Sequence, residues 1–235
     1  MLKIEQLHTH YGTSHIIQGI DLTVGKGEVV GIFGRNGVGK TTLLKTIAGW
    51  VNPTRGRITL DGVRLDGWSP DKICHLGVGI VPEDRRIFPG LTVGENLNIA
   101  LLQVKGRHAR DEREALDRIY ARLPRLAERR KQFATTLSGG EQQMLAMARV
   151  MLGKPKLVLI DEPSEGLAPM IVDQVFKMIE DLLKDGASVL LVEQNVHQAL
   201  TLTDRFCVIE RGQIVLGGDG RSEADRKRLF DAIAV

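Results

Sequence analysis

Cysteine is almost absent from this chain. Cys74 and Cys207 are the only two in 235 residues, far apart and in no metal-binding spacing. That excludes a disulfide-stapled fold and suits a reducing compartment, with both thiols expected as small core residues. A strong charge of one sign is also missing. The net charge is +3, too weak a bias for a nucleic-acid-binding surface. No apolar run approaches the roughly 20 residues that span a bilayer, so a membrane role would have to come through a partner. No signal peptide is expected, because Met1 to Glu5 already reads as a strand. Internal repeats, linkers and low-complexity segments are absent too. What remains is 43% hydrophobic and 26% charged. That supports one large α/β domain or two intimately joined lobes.

The pattern begins as β. Leu2, Ile4 and Leu7 lie near one face, and Ile16 to Val24 alternates through Ile20, Leu22 and Val24. Val29 to Phe33 is a short, continuously apolar strand, and Thr41 to Ala48 reads as a helix. A hairpin is predicted over 57–65 with its tight turn at Asp61-Gly62. Ser69-Pro70 opens a short helix, and Val78 to Val81 is a buried strand. Thr92-Val93-Gly94-Glu95 is a capping box for a helix reaching about Val104. From there to about Gly153 the pattern is helical, with breaks near Gly106 and at Pro124. Further along, 157–160 is strand, 170–183 helix and 188–192 strand, followed by a helix and a hairpin at Arg211-Gly212. Alternating strands and helices imply a parallel sheet wrapped by helices. The stretch 92–153 is too long for one crossover and reads as an inserted helical lobe.

Gly34 to Thr41 reads G-R-N-G-V-G-K-T between a strand and a helix, the context a phosphate-binding loop requires. Gly34, Gly37 and Gly39 let backbone approach phosphate. Arg35, Asn36, Val38 and Thr42 complete the loop and its helix start. Lys40 supplies a point charge for the β/γ-phosphates and Thr41 an oxygen for Mg²⁺. The strand Leu157 to Ile160 ends in Asp161-Glu162. One acid would hold the metal and the other would polarise the attacking water. Ser138-Gly139-Gly140-Glu141 is a second capping box, ahead of the apolar run Met144 to Met147. Its two glycines leave amides open at a positive helix end, a second anion cradle. One triphosphate does not need two cradles from one chain, so each chain is expected to lend the second to another chain's nucleotide.

The order of P-loop, L-S-G-G-E-Q (137–142) and L-V-L-I-D-E-P (157–163) resembles the ATP-binding cassette family over essentially the whole chain. The resemblance implies an ATP hydrolase with a P-loop core, a mostly parallel sheet, an N-terminal antiparallel β subdomain and an inserted α-helical subdomain. It implies that Ser138, Gly139, Gly140 and Glu141 serve the partner chain's ATP, and that Tyr11 stacks on adenine. Three positions depart from the family's pattern. Glu83 stands where a metal-contacting Gln is usual, Gln194 where a His contacts the γ-phosphate, and Ala168 where an Asp is usual. An amide can donate a hydrogen bond but carries no proton at neutral pH. The departures leave Glu162 as the base; the resemblance places Gln194 at the γ-phosphate and Thr41, Glu83 and Asp161 around Mg²⁺. His197, nearby, reads as a surface residue.

The segments 81–97, 161–169 and 191–195 are similar to one import subgroup: the shorter ATPase subunit of bacterial branched-chain amino acid importers and its urea/amide-importer relatives. That resemblance implies two transmembrane permeases, a second related ATPase subunit or a second copy, and, indirectly, a periplasmic substrate-binding protein. It implies a cytoplasmic subunit, peripheral on the inner face of the membrane. Arg85, Arg86, Ile87 and Phe88 combine charge with apolar character where a partner's loop would sense nucleotide. The basic run Arg125, Arg129, Arg130 and Lys131 reads as a solvated face rather than a nucleic-acid patch. Met144, Met147 and Met151 read as core filler.

Overall fold

The computed structural model describes residues 1–102 and 108–233. The chain begins with β1 (Leu2–Tyr11), β2 (Ser14–Val24) and β3 (Val29–Phe33), then α1 (Lys40–Ile47), β4 (Arg55–Leu60), β5 (Val63–Arg64), α2 (Pro70–His75) and β6 (Val78–Val81). Four helices follow: α3 (Val93–Leu102), α4 (Ala109–Arg122), α5 (Pro124–Glu128) and α6 (Gly139–Leu152). The rest is β7 (Leu157–Asp161), α7 (Pro169–Lys184), β8 (Ser188–Val192), α8 (Val196–Ala199), β9 (Arg205–Glu210), β10 (Gln213–Asp219) and α9 (Glu223–Ile233).

Two sheets form. One is antiparallel, in the order β2-β1-β4-β5. The other runs β10-β9-β3-β8-β7-β6 and is parallel except for the edge strand β10. The expected fold class is borne out. The parallel strands are apolar throughout because both of their faces are covered. Val30 and Ile32 of β3, Leu157 and Leu159 of β7, and Leu190 and Val192 of β8 point into a core shared with α1, α2 and the antiparallel sheet. Val29 and Phe33, Val158 and Ile160, and Val189 and Leu191 point into a second core under α6, α7 and α9. That second core continues without a break into Leu97, Ile119 and Leu126 of α3, α4 and α5. Met144 and Met147 are buried in it, and Met151 packs at its edge.

Several expectations need correction. Residues 129–138 are not helical apart from a short 3-10 turn, Ala134–Thr136. Their backbone is drawn instead to the loop before α3: Val93 N donates to Gln132 O, Gly94 N to Arg130 O and Ala134 N to Leu91 O. The helix after β8 is a single turn, and α9 was not anticipated. The break near Gly106 and the expected helix end at Val104 lie outside the described residues. Cys207 is buried as expected, whereas Cys74 is only half-buried, since α2 turns Ile73 inward and leaves its neighbour at the surface.

Both positive-φ hairpin turns sit where the sequence put them, at Asp61-Gly62 and Arg211-Gly212. More important for the site is strand register. Ile32 of β3 and Asp161 of β7 both pair with Val192 of β8, and Val81 of β6 pairs with Ile160. The carboxyl ends of four parallel strands therefore open along one edge, the usual location of a ligand crevice in such sheets.

Candidate active site

The P-loop leaves β3 at Gly34, where φ is +144° and an added Cβ would lie 2.3 Å from Ile209 O. Only glycine meets both demands. The loop ends at Gly39, which gives α1 no side-chain cap, and α1 has no acid in its first turn. Its terminal amides are thus left for an anion. Lys40 is 4% exposed. Its Nζ donates to Gly34 O at 2.9 Å and Arg35 O at 3.0 Å, and lies 3.3 Å from Glu162 Oε1.

Glu162 follows β7 with φ +44°, a strained conformation for a side-chain-bearing residue. Gln194 Nε2 donates to Glu162 Oε2 at 2.5 Å. One oxygen of Glu162 is therefore held by the amide and the other by the lysine. A cleft of about 310 Å³ collects Asn36, Lys40, Thr41, Thr42, Glu83, Glu162, Glu165 and Gln194. The structure thus brings together the P-loop, Glu83, Glu162 and Gln194 as the sequence suggested. Ile16 of β2 also lines it, while Tyr11 stands at the turn of the same hairpin, paired with Ser14, 47% exposed and outside the lining.

Asp161 is buried behind this cleft. Its burial pushes the carboxyl up to about 6; a hydrogen bond with the Thr41 side chain opposes that, and the charges of Glu162 and Glu83 add to it. Asp161 Oδ1 has no hydrogen-bond partner. A buried, unpaired carboxylate oxygen beside a P-loop hydroxyl is a fitting ligand for Mg²⁺. Among the described residues no group of three His, Cys, Asp or Glu side chains encloses an ion. Mg²⁺ characteristically takes one or two carboxylates and completes its shell with phosphate and water, so Asp161, Thr41 and Glu83 suffice.

The second cradle is formed as a capping box. Ser138 Oγ accepts from Glu141 N at 3.3 Å, and Glu141 Oε2 accepts from Ser138 N and Oγ, both at 2.9 Å. Glu141 is buried, which raises its carboxyl, but the Ser138 bonds and the Arg129 charge hold it below the usual range. Its carboxylate is thus committed to the cap and to Arg129, 3.3 Å away. Gly139 lies under the Arg85 guanidinium, with Nη1 3.0 Å from where a Cβ would stand. Neither glycine lines the P-loop cleft.

Two residues escaped the sequence reading. Glu165 shares hydrogen bonds with Glu83 and Glu162 at the cleft, and its carboxyl is raised by desolvation and by their charges. Glu193 is buried and binds backbone amides of two loops. Nothing in their local sequence marks either one, since each also bonds a segment distant in the chain, Glu83 for Glu165 and Ser164 for Glu193. His197 is exposed, as expected, and stacks on Phe230.

A phosphate cradle after β3, with an acid from the end of β7, one strand beyond β8, facing its lysine, defines a P-loop nucleoside triphosphate hydrolase. The comparisons narrow the class. A family model described as ABC transporter matches residues 17–165, and the chain belongs to that family. It is 42% identical over 232 residues to the high-affinity branched-chain amino acid transport ATP-binding protein BraG of Pseudomonas aeruginosa, covering 99% of this chain and 98% of that one. It is 36% identical over 236 residues to a probable branched-chain amino acid transport ATP-binding protein, LivF, of Archaeoglobus fulgidus, covering 97% and 96%. Among solved structures, an ATP-binding subunit of an ABC transporter superposes with a TM-score of 0.85 at 27% identity, covering 100% of this chain and 95% of that one. A dimeric ATP-binding cassette bound to ADP and Pi shares the fold, with a TM-score of 0.85 at 22% identity over 94% of this chain and all of that one. The protein is an ATPase whose turnover is coupled to transport.

Proposed function

We propose that this chain is the ATP-binding subunit of a bacterial importer for branched-chain or other hydrophobic amino acids. The observation that carries the mechanism is the line Lys40–Glu162–Gln194. In the structure Lys40 pairs with Glu162. ATP phosphates seated on the amides from Gly34 to Thr42 would draw Lys40 toward their greater charge. Glu162 Oε1 is then released to accept a proton from water, while Gln194 keeps Oε2 in place. The water oxygen bonds to the γ-phosphorus as the bond to the bridging oxygen breaks, giving ADP and phosphate. Thr41, Asp161 and Glu83 would hold Mg²⁺, which offsets phosphate charge when bound. Gln194 orients and does not exchange protons. Tyr11 would stack on the adenine.

Ser138, Gly139 and Gly140 lie outside the chain's own cleft and would complete the site of a partner ATPase. That partner is a related subunit, or a second copy. Residues 92–153 act as a helical subdomain carrying this cradle. A groove of about 350 Å³ runs between α2, β6, α3 and α6, with Trp50, Ile73, Ile80 and Ile99 in its lining and Arg85, Arg86 and Arg149 contributing charge. Arg86 stacks on Trp50 and Arg149 on Phe88. Arg149 Nη1 also donates to Arg86 O at 2.7 Å, tying the signature helix to the groove. This groove would receive a permease loop and hold the subunit on the cytoplasmic face of the membrane. A periplasmic binding protein would deliver substrate, and nucleic acid plays no part. Among the described residues no helix is long and apolar enough to cross a membrane.

The decisive variant is Glu162→Gln. Turnover should fall at least about a hundredfold while ATP still binds, as for loss of a general base. Wild-type turnover in that variant would remove Glu162 from the role. Uptake of labelled leucine against labelled urea, in vesicles carrying the permeases encoded beside this chain, separates the amino acid importer from an amide importer.

A further inference from the structure

Glu193 directly follows β8 with 2% of its surface exposed, and its two carboxylate oxygens serve two different loops. Oε1 accepts from Ser164 N at 3.0 Å. Oε2 accepts from Gln194 N at 2.9 Å and Asn195 N at 3.0 Å. Among the described residues it pairs with no cation, so backbone amides alone compensate its charge. Charge-assisted bonds of this kind are short and directional. The loop that Ser164 belongs to is the one that carries the base. Glu162 N donates to Val192 O at 2.9 Å, and Glu165 N closes a turn onto Glu162 O at 3.3 Å. One buried side chain therefore joins the turn 162–165 to the segment 194–195. Displacing either segment would leave a buried charge or a buried amide unpaired, which is costly. The strained φ of Glu162 needs such external support.

We propose that Glu193 is a positioning residue for ATP hydrolysis. It locks the Gln194 segment and the Glu162 turn into one unit, so that the Gln194 amide meets Glu162 Oε2 in the orientation that leaves Oε1 for water. It does not line the P-loop cleft. The proposal deepens the reading of Glu162 as base and rests on it.

The test is Glu193→Gln, which keeps shape and one acceptor oxygen but turns an NH₂ toward amides that need an acceptor. Turnover per bound nucleotide should fall about tenfold or more, the usual scale for supporting contacts to an active-site group. KM for ATP and the stoichiometry of ADP binding should stay within about twofold, because the P-loop is untouched. In a Gln194→Ala background the same substitution should cost less than about twofold, since its route to Glu162 is already gone. A purely structural role would lower the binding-competent fraction or multiply with Gln194→Ala. Near-wild-type turnover, a loss carried by KM, or multiplicative losses would each overturn the proposal. Glu162→Gln runs alongside. If it hydrolyses ATP normally, the base assignment has failed; if it is inactive while Glu193→Gln is unimpaired, only the positioning role has failed.

Discussion

At the residue scale, Asp161 is a buried carboxyl with one oxygen unpartnered. Burial pushes its carboxyl up to about 6, above the ordinary 3.8. The folded state therefore holds that proton more tightly than the unfolded chain does. The associated stability is fully present below about pH 4 and is lost as pH rises through about 6. Asp161→Asn removes this loss. With EDTA and no nucleotide, the variant should be more stable than the wild type at pH 7.5 by about 3 kcal/mol, or roughly 6–12 °C in Tm. At pH 4.5 the gap should shrink by most of that amount. Thermal melts at the two pH values check this, and a wild type more stable at pH 7.5 would refute it. The same variant should lose the tightening of ATP binding by Mg²⁺.

At the element scale, α6 is governed by its first turn. Both of its glycines were read as open amides for phosphate, and the structure adds a packing reason. A Cβ on Gly140 would lie 2.9 Å from Ile171 Cγ2 of α7. Gly140→Ala should therefore destabilise by about 1–3 kcal/mol through overpacking, and much less in an Ile171→Ala background. Urea unfolding of the four proteins measures the coupling; additive losses would separate the glycine from α7. The capping boxes at Thr92 and Ser138 were legible because such a cap is a four-residue pattern. The non-helical run 129–138 was not, because two of its carbonyls and one of its amides pair with residues some forty positions earlier.

At the scale of the whole molecule, the groove beside α3 and the P-loop cleft share the segment after β6, with Glu83 at one and Arg85 and Arg86 at the other. A charge placed in the groove should break assembly without touching nucleotide. Ile99→Glu should abolish co-purification with the permeases and reduce uptake at least about tenfold, as for a central apolar contact of an interface. ATP affinity should stay within about twofold. Retained assembly would place the permease contact elsewhere.

The chain alone determined the P-loop, the strand delivering Asp161 and Glu162, the signature cap and the class of fold. Each is written in a few consecutive residues, where spacing dictates local geometry. Tertiary structure decided what those pieces do to one another. The pairing of Asp161 with Val192 sets Glu162 beside Gln194 and gives Glu193 two loops to hold. Register between parallel strands follows from the packing of both sheet faces and leaves no mark in neighbouring residues. The lysine that waits on Glu162, the unpaired oxygen of Asp161 and the clamp at Glu193 therefore became visible only in the folded molecule.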